Sequence, residues 1–133
     1  MFQIESKIGK IHVQQEEAFN IISDFSKLSE HIPSEKLKGI KSEKDSLTFS
    51  LPETGEMTIY IEKREPFSLV KYAGKFKEQN FYLYIQIKSP SAGDTRFKIT
   101  LRAEVPSVVG WTIKGKMQTM LDELVTRIEK IYP

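Results

Sequence analysis

Residues 107–131 read SVVGWTIKGKMQTMLDELVTRIEKI and predict the longest helix of the chain. Apolar side chains recur in this stretch at steps of three and four, which places them on one helical face. They belong to Ile113, Met117, Met120, Leu121, Leu124, Val125, Ile128 and Ile131. We expect Ser107 to cap the helix, and Gly110 and Gly115 to bend or unwind its first turns. Charged residues hold the opposite face, so the apolar stripe needs a large surface to cover it.

The middle of the chain supplies that surface as a series of strands. From residue 37 to residue 105, segments of alternating polar and apolar residues follow one another at roughly ten-residue spacing, with turn signals between them. Residues 89–94, SPSAGD, form the clearest turn. Short strands in this arrangement indicate an antiparallel sheet. In the last two strands, alternate residues form two rows that we expect to face the core. The rows are Phe81, Leu83, Ile85, Ile87 and Phe97, Ile99, Leu101, Ala103.

One more strand and two short helices precede this series. Residues 2–13 alternate, but the apolar phase shifts at Gly9, which indicates a bulge or bend. Helical spacing begins after Gln14, and Pro33 ends a second short helix. The sequence therefore predicts a single α+β domain over residues 1–133. We expect a seven-stranded antiparallel sheet with one face covered by the long C-terminal helix, and the two short helices between strands 1 and 2.

The segment that holds the short helices resembles a feature of a known superfamily. Residues 14–33 read QQEEAFNIISDFSKLSEHIP. Asp24, Leu28 and Pro33 match the spacing of the D-x-x-x-L-x-x-x-x-P stretch typical of SRPBCC proteins. The letters EEAF resemble the end of their PxEEVF segment, with Gln15 where a proline is common. In these motifs, and in element order along its whole length, the chain resembles the SRPBCC superfamily.

That superfamily includes START lipid-transfer domains, the birch pollen allergen family, polyketide cyclases and a family of carbon monoxide dehydrogenase subunits. The resemblance implies the helix-grip fold, in which a curved sheet grips the C-terminal helix and leaves an apolar cavity between them. The shared motifs are packing signatures and not catalytic ones, and the fold does not fix the function.

Reactive side chains are scarce. The chain has no cysteine, and its two histidines, His12 and His31, have no partner at metal-binding spacing. Residues 110–116, GWTIKGK, match part of a P-loop, but Met117 stands where Ser or Thr is needed, so we interpret them as the start of a helix. Two close carboxylate pairs are interpreted as solvated: Glu53 with Glu56 and Glu62 with Glu65. We expect no catalytic residue, no metal site and no cofactor.

Charge and strand phase argue against a nucleic-acid partner. The chain has 20 basic and 18 acidic residues, a net charge of +2, which is too small a surplus for a nucleic-acid footprint. Residues 71–77, KYAGKFK, interleave basic and aromatic side chains as single-strand binding platforms do. On a strand, however, Tyr72 and Phe76 face one side and the lysines the other. We therefore expect no nucleic-acid binding.

Export and membrane signals are also lacking. Charges occur within the first ten residues, and no apolar run approaches the roughly 20 residues of a membrane span. We expect a cytoplasmic protein without stable membrane insertion.

The side chains that face the predicted cavity are the candidate ligand contacts. The predicted wall comprises Phe49, Met57, Ile59, Tyr72, Phe76, Phe81, Leu83, Ile99, Leu101, Trp111, Met117, Met120 and Leu121. Methionine adapts to irregular shapes, which suits a pliable wall. We expect Tyr72 to point inward and offer a ligand one hydrogen bond, and Trp111 to stand at the cavity mouth. Alternatively, the same side chains simply fill the core.

Three functions are compatible with these observations. The leading prediction is a non-enzymatic protein that binds or carries a small hydrophobic molecule, lipid-like or aromatic, in the cavity. The second is an enzyme of the cyclase or dehydratase type, as the resemblance to polyketide cyclases suggests, which needs at least two polar or titratable groups converging in the pocket. The third is a protein-interaction module with a filled core, for example a homodimer that uses a sheet edge or an apolar patch.

Overall fold

In the computed structural model, which describes residues 2–31, 38–51, 55–76 and 78–131, eight strands form one curved antiparallel sheet. The strands are β1 (Phe2–Glu5), β2 (Gly9–Ile11), β3 (Lys38–Ser42), β4 (Ser46–Leu51), β5 (Gly55–Glu65), β6 (Leu69–Phe76), β7 (Gln79–Ser91) and β8 (Asp94–Ala103). The helices are α1 (Gln15–Ile22), α2 (Phe25–Leu28) and α3 (Ser107–Glu129), with a 3-10 turn at Ser29–His31. The predicted α+β fold, with a large antiparallel sheet and a long C-terminal helix, is confirmed.

The strand order is β1-β8-β7-β6-β5-β4-β3, and β2 also pairs with β8. β1 and β2 lie end to end along β8, so together they form the predicted first strand with an interruption, and seven strands become eight. The phase shift precedes Gly9, because Ser6 is still buried whereas Ile8 is 66% exposed. The Ser6 hydroxyl oxygen accepts a hydrogen bond from the Ile99 amide at 2.9 Å, which holds the chain to β8 where the regular pairing stops.

The two short helices predicted between the first strand and the rest of the sheet are present. α1 buries Ala18, Phe19 and Ile22, which recur at helical spacing. Asp24 lies between the two helices and is the N-cap of α2. Its carboxylate accepts a hydrogen bond from the Ser26 amide at 2.9 Å. That hydrogen-bonded role explains the aspartate at the start of the motif quoted above.

α3 is one continuous helix, so the glycines do not unwind its first turns. The residue at the N-cap is Pro106 and not Ser107, which is already the first helical residue. Pro106 has extended backbone angles (φ −58°, ψ 145°), which proline adopts readily. At Gly110 a Cβ atom would lie 2.2 Å from Cδ2 of Phe2. The missing side chain at Gly110 therefore lets the helix lie directly on β1.

α3 covers only one side of the sheet. Its main contacts are with β1, β2 and β8, whereas α1 packs on β6, β7 and β8. Leu121 and Val125, on the side of α3 that faces the sheet, are fully buried. The part of the same sheet face that belongs to β4, β5 and the adjoining ends of β6 and β7 is consequently the part that α3 covers least.

Candidate ligand-binding cleft

The strand register brings most of the predicted wall residues onto one face of the sheet. Residues paired across neighbouring strands point to the same side. One cross-strand row contains Leu47, Ile59, Gly74, Phe81 and Ala103. The next row contains Ile61, Tyr72, Leu83, Leu101 and Ile4. Phe49 pairs with Met57, two residues from Ile59 along β5, and Ile99 pairs with Ile85 on the same face.

Burial divides these residues into two groups. Phe49, Tyr72, Ile99, Leu101 and Leu121 are buried in the main core. Twelve described apolar residues pack against that core but keep part of their surface exposed, and we call the seven of them that lie on β5, β7 and α3 the cleft residues. They are Met57, Ile59, Ile61, Phe81, Leu83, Met117 and Leu124. The Phe76 side chain lies outside the described residues, so that part of the prediction is not tested.

Gly74 lies in the middle of the first row, between Ile59 and Phe81. A Cβ atom at this glycine would lie 2.4 Å from Cζ of Phe81, because the phenyl ring rests on the glycine backbone. A larger residue at position 74 would push the ring away from the sheet. The floor of the cleft is therefore a phenyl ring lying over a strand that has no side chain at this point.

α3 presents different side chains on its two flanks. Met117 and Leu124 turn toward the cleft side of the helix, and Met120 shares this flank but is 41% exposed. Trp111 is 75% exposed and lies seven residues before Gln118, on the same flank as that glutamine. The Gln118 amide donates a hydrogen bond to the Glu5 carbonyl at 2.7 Å, so this second flank faces the β1 edge of the sheet. The prediction that Trp111 stands at the cavity mouth stays a prediction.

A groove of about 520 Å³ lies along α3 and is open to solvent. Its lining residues are Gly115, Lys116, Met117, Thr119, Met120 and Glu123. Nothing lies within 4 Å of the position of a Cβ atom at Gly115, so the glycine itself forms part of the depression. Met117, one of the cleft residues, also lines this groove, so the groove adjoins the cleft side of α3.

Tyr72 does point into the interior, but its hydroxyl group already has a partner. It donates a 2.5 Å hydrogen bond to the Ile22 carbonyl at the end of α1, and its ring contacts Phe25 at 5.3 Å between centroids. Burial raises the pKa of the phenol well above its ordinary value of 10.0, so the hydroxyl stays protonated. The Tyr72 hydroxyl, predicted to donate a hydrogen bond to a ligand, instead links the sheet to the end of α1. Nothing in the sequence near Tyr72 indicates this partner, which lies 50 residues away.

Two of the reactive motifs considered in the sequence have ordinary structural surroundings among the described residues, and these residues hold no metal-binding cluster. Among them, no group of three or more His, Asp or Glu side chains could hold a metal ion. Every described buried side-chain nitrogen or oxygen has a hydrogen-bond partner. The P-loop-like residues 110–116 lie inside α3 as ordinary helix. Glu62 accepts a hydrogen bond from Lys71 at 3.4 Å instead of facing a second carboxylate, and Glu53 lies outside the described residues.

One cluster on the opposite face of the sheet could not be found from single strands. The ammonium group of Lys71 lies 4.7 Å from the ring centroid of Tyr82 and 5.5 Å from that of Tyr84. Both tyrosines belong to β7, and only the register with β6 shows that they share a face with this lysine. A cation over aromatic faces is attractive, so the cluster accounts for the half-buried state of all three side chains.

The sequence and the structure were compared with those of known proteins. No protein-family model matches the sequence, and no curated protein matches it. A START superfamily protein from Mycobacterium smegmatis matches in structure with a TM-score of 0.67 and 13% identity, over 98% of this chain and 99% of that one. The chain has the START-like helix-grip fold. A conserved protein from Geobacillus kaustophilus has a TM-score of 0.69 and 18% identity, over 98% and 93% of the two chains.

A more distant structural match is an HSP90 activator from Plasmodium falciparum. Its TM-score is 0.57 at 18% identity, over 80% of this chain and 75% of that one. At such identities the likeness establishes the helix-grip fold alone. Among the described residues, no helix has both the length and the apolar character needed to cross a bilayer.

Proposed function

We propose that this helix-grip protein binds or carries a small hydrophobic molecule, lipid-like or aromatic, in the cleft between β4–β7 and α3, without catalysing a reaction. The observation that carries the proposal is the burial of the cleft residues. Five of them lie on β5 and β7 and two on α3, and each is partly exposed, whereas Leu101 and Tyr72, in the same row as Ile61 and Leu83, are buried. Concave apolar surface with partial exposure is typical of a ligand site.

The chemistry of the interior supports binding and not catalysis. A cyclase or dehydratase needs at least two titratable groups that converge on the bound molecule. Tyr72 is the candidate that the sequence offered, and its hydroxyl group is bonded to Ile22 and kept protonated by burial. A site with these walls can exclude water from an apolar molecule and hold it by contact area.

A protein-interaction module is the second candidate, and a specific observation favours it. Val108 and Trp111, three residues apart and so on one face of the first turns of α3, are both exposed, and Val109 is exposed beside that face. Exposed apolar residues of this size often mark contact surfaces. The structural match from Plasmodium falciparum is by its title an activator of another protein, HSP90. Light scattering over a range of concentrations tests the homodimer form of this candidate: a concentration-independent monomer would remove it.

A bulky substitution inside the cleft tests the proposed function. Ile59→Trp puts an indole ring into the cleft, while Thr58→Trp puts the same ring on the exposed opposite face of β5. We expect Ile59→Trp to weaken the binding of a pyrene-labelled decanol at least about tenfold, which corresponds to about 1.4 kcal/mol. Thr58→Trp should leave the affinity within about twofold. No binding by the unmodified protein, or equal binding by both variants, would contradict the proposal.

A further inference from the structure

Three apolar side chains at the start of α3 lie in solvent, and we call them the exposed patch. Val108 is 68% exposed, Trp111 is 75% exposed, and Val109 is also exposed. The Trp111 ring forms no hydrogen bond or aromatic contact with any residue that the structure describes. Apolar side chains this large, exposed this close together, often mark a contact surface. None of the three is a cleft residue.

The outer face of the first turns of α3 points away from the sheet. Gly110 is buried, because the helix rests on Phe2 at this position. The residues two positions before and after it, Val108 and Thr112, lie about 160° around the helix from it, and both are exposed. At Gly115, farther along the helix, nothing lies within 4 Å of the position of a Cβ atom. This outer face is therefore open to a partner.

The charges along the same turns of α3 have one sign. Residues 105–121 contain two lysines, Lys114 and Lys116, and no carboxylate. Both lysines are exposed, and neither forms a hydrogen bond or an ion pair with any described residue. The nearest carboxylates before and after this stretch along the chain, Glu104 and Asp122, each accept a hydrogen bond from another residue. A negative partner would thus meet two ammonium groups that have no partner in the described part of the chain.

The two lysines lie on opposite flanks of the exposed patch. Lys114 follows Trp111 by three residues, which places it on the flank that faces the β1 edge of the sheet. Lys116 follows Val109 by seven residues, or about two turns, which places it on the other flank. A lysine can lay its methylene chain on an apolar surface while its ammonium group extends beyond that surface. The patch therefore has apolar side chains between two positive charges.

This combination fits the surface of a bilayer that contains anionic lipid. Tryptophan is enriched at the level of the lipid headgroups, and lysines near the surface are attracted to anionic headgroups. A second copy of the chain fits poorly. Two exposed patches placed face to face would bring four lysines together, and residues 105–121 have no carboxylate to offset them.

We infer that the first turns of α3 dock on an anionic lipid surface, with Val108 and Trp111 among the headgroups and Lys114 and Lys116 beside the lipid phosphates. The contact is peripheral, and the cleft residues take no part in it. The inference goes beyond the proposed function, because it names a second partner and a second surface.

Trp111 is the only tryptophan of the chain, so its fluorescence reports on this surface directly. The unmodified protein is titrated with vesicles of phosphatidylcholine, with and without about 30 mol% phosphatidylglycerol. We expect the anionic vesicles to move the emission maximum to shorter wavelength by about 5–10 nm, because the indole ring leaves water. Neutral vesicles should bind at least about fivefold more weakly, and added salt should weaken binding to the anionic vesicles. Sedimentation with the vesicles measures the bound fraction independently.

Two double variants with the same loss of charge locate the contact. Lys114→Gln combined with Lys116→Gln should weaken binding to the anionic vesicles at least about fivefold. Lys44→Gln combined with Lys88→Gln removes two exposed lysines outside α3, and it should leave binding within about twofold. Val108→Ser keeps every charge and should weaken binding at least about twofold, because it removes apolar contact. Thermal melts check that the variants fold.

Several results would overturn the inference. They are the absence of sedimentation with anionic vesicles, equal binding to neutral and anionic vesicles, and sedimentation with unchanged Trp111 emission. Equal losses in the two double variants would assign the effect to the overall charge of the protein. An emission shift that depends on protein concentration in the absence of lipid would assign the exposed patch to a second copy of the chain. Binding of the pyrene-labelled decanol is measured separately, so failure of this inference is distinguishable from failure of the proposed function.

Discussion

Tyr72 shows how one hydrogen bond changes the interpretation of a residue. Its inward orientation follows from strand phase, and that part is predictable because β6 alternates regularly. Its partner is not predictable, because the Ile22 carbonyl reaches it only through the packing of α1 on the sheet. The residue that looked like a contact for a ligand is instead one of the contacts that hold α1 in place.

Replacing Tyr72 by Phe separates these two roles. The variant keeps the ring and removes the hydrogen bond to Ile22, so we expect the free energy of unfolding to fall by about 1–2 kcal/mol in urea titrations. The affinity of the variant for the pyrene-labelled decanol should stay within about twofold of that of the unmodified protein. Tyr60→Phe, on an exposed tyrosine of the opposite face, is the control and should change stability by less than about 0.5 kcal/mol. A large loss of probe affinity with unchanged stability would mean that the hydroxyl group serves the ligand.

The raised pKa of Tyr72 also predicts a pH dependence. The folded protein holds the phenolic proton at pH values where the unfolded chain, with its ordinary pKa of 10.0, releases it. Stability is therefore complete below about pH 10 and falls above it, by at most about 1.4 kcal/mol per pH unit from this group. Tyr72→Phe lacks this group, so its stability should approach and then exceed that of the parent as the pH rises above about 10. A constant difference between the two proteins from about pH 8 to about pH 11.5 would be the contrary result.

At the scale of elements, α3 illustrates both the reach and the limit of sequence patterns. The apolar spacing of residues 107–131 predicts the helix and its buried side. The same pattern does not distinguish Gly110 from Gly115, because helix propensity alone predicts that each of them destabilises the helix. Gly110 is needed for close contact with Phe2, and Gly115 faces open space. Such a difference depends on what lies opposite each residue, and no local pattern contains it.

Alanine at each glycine measures this difference within one helix. Gly110→Ala puts a Cβ atom 2.2 Å from the Phe2 ring and should lower the free energy of unfolding by about 1–3 kcal/mol. Gly115→Ala meets nothing within 4 Å and should raise it by about 0.5–1 kcal/mol, because alanine favours the helix. Urea unfolding followed by circular dichroism provides both numbers. Changes of the same sign in the two variants would be incompatible with the described packing of α3 on β1.

At the scale of the whole molecule, element order was sufficient to predict the helix-grip fold, because a long amphipathic helix after a run of antiparallel strands has few ways to bury its stripe. The position of the helix on the sheet was not predictable. It depends on close approaches such as Gly9, where a Cβ atom would lie 2.4 Å from Phe97 and 2.8 Å from Val125. These contacts hold α3 toward the β1–β8 side, and the cleft residues are partly exposed as a consequence.

Native mass spectrometry shows whether the partly exposed apolar face holds a small molecule. The unmodified protein, Ile59→Trp and Thr58→Trp are each incubated with a lipid extract of the cells that produce them and then desalted. We expect the unmodified protein and Thr58→Trp to carry a bound small molecule, seen as mass added to the 15.4 kDa of the chain, and Ile59→Trp to lack it. Spectra at the mass of the bare chain for every protein, or the same adduct on all of them, would contradict this expectation.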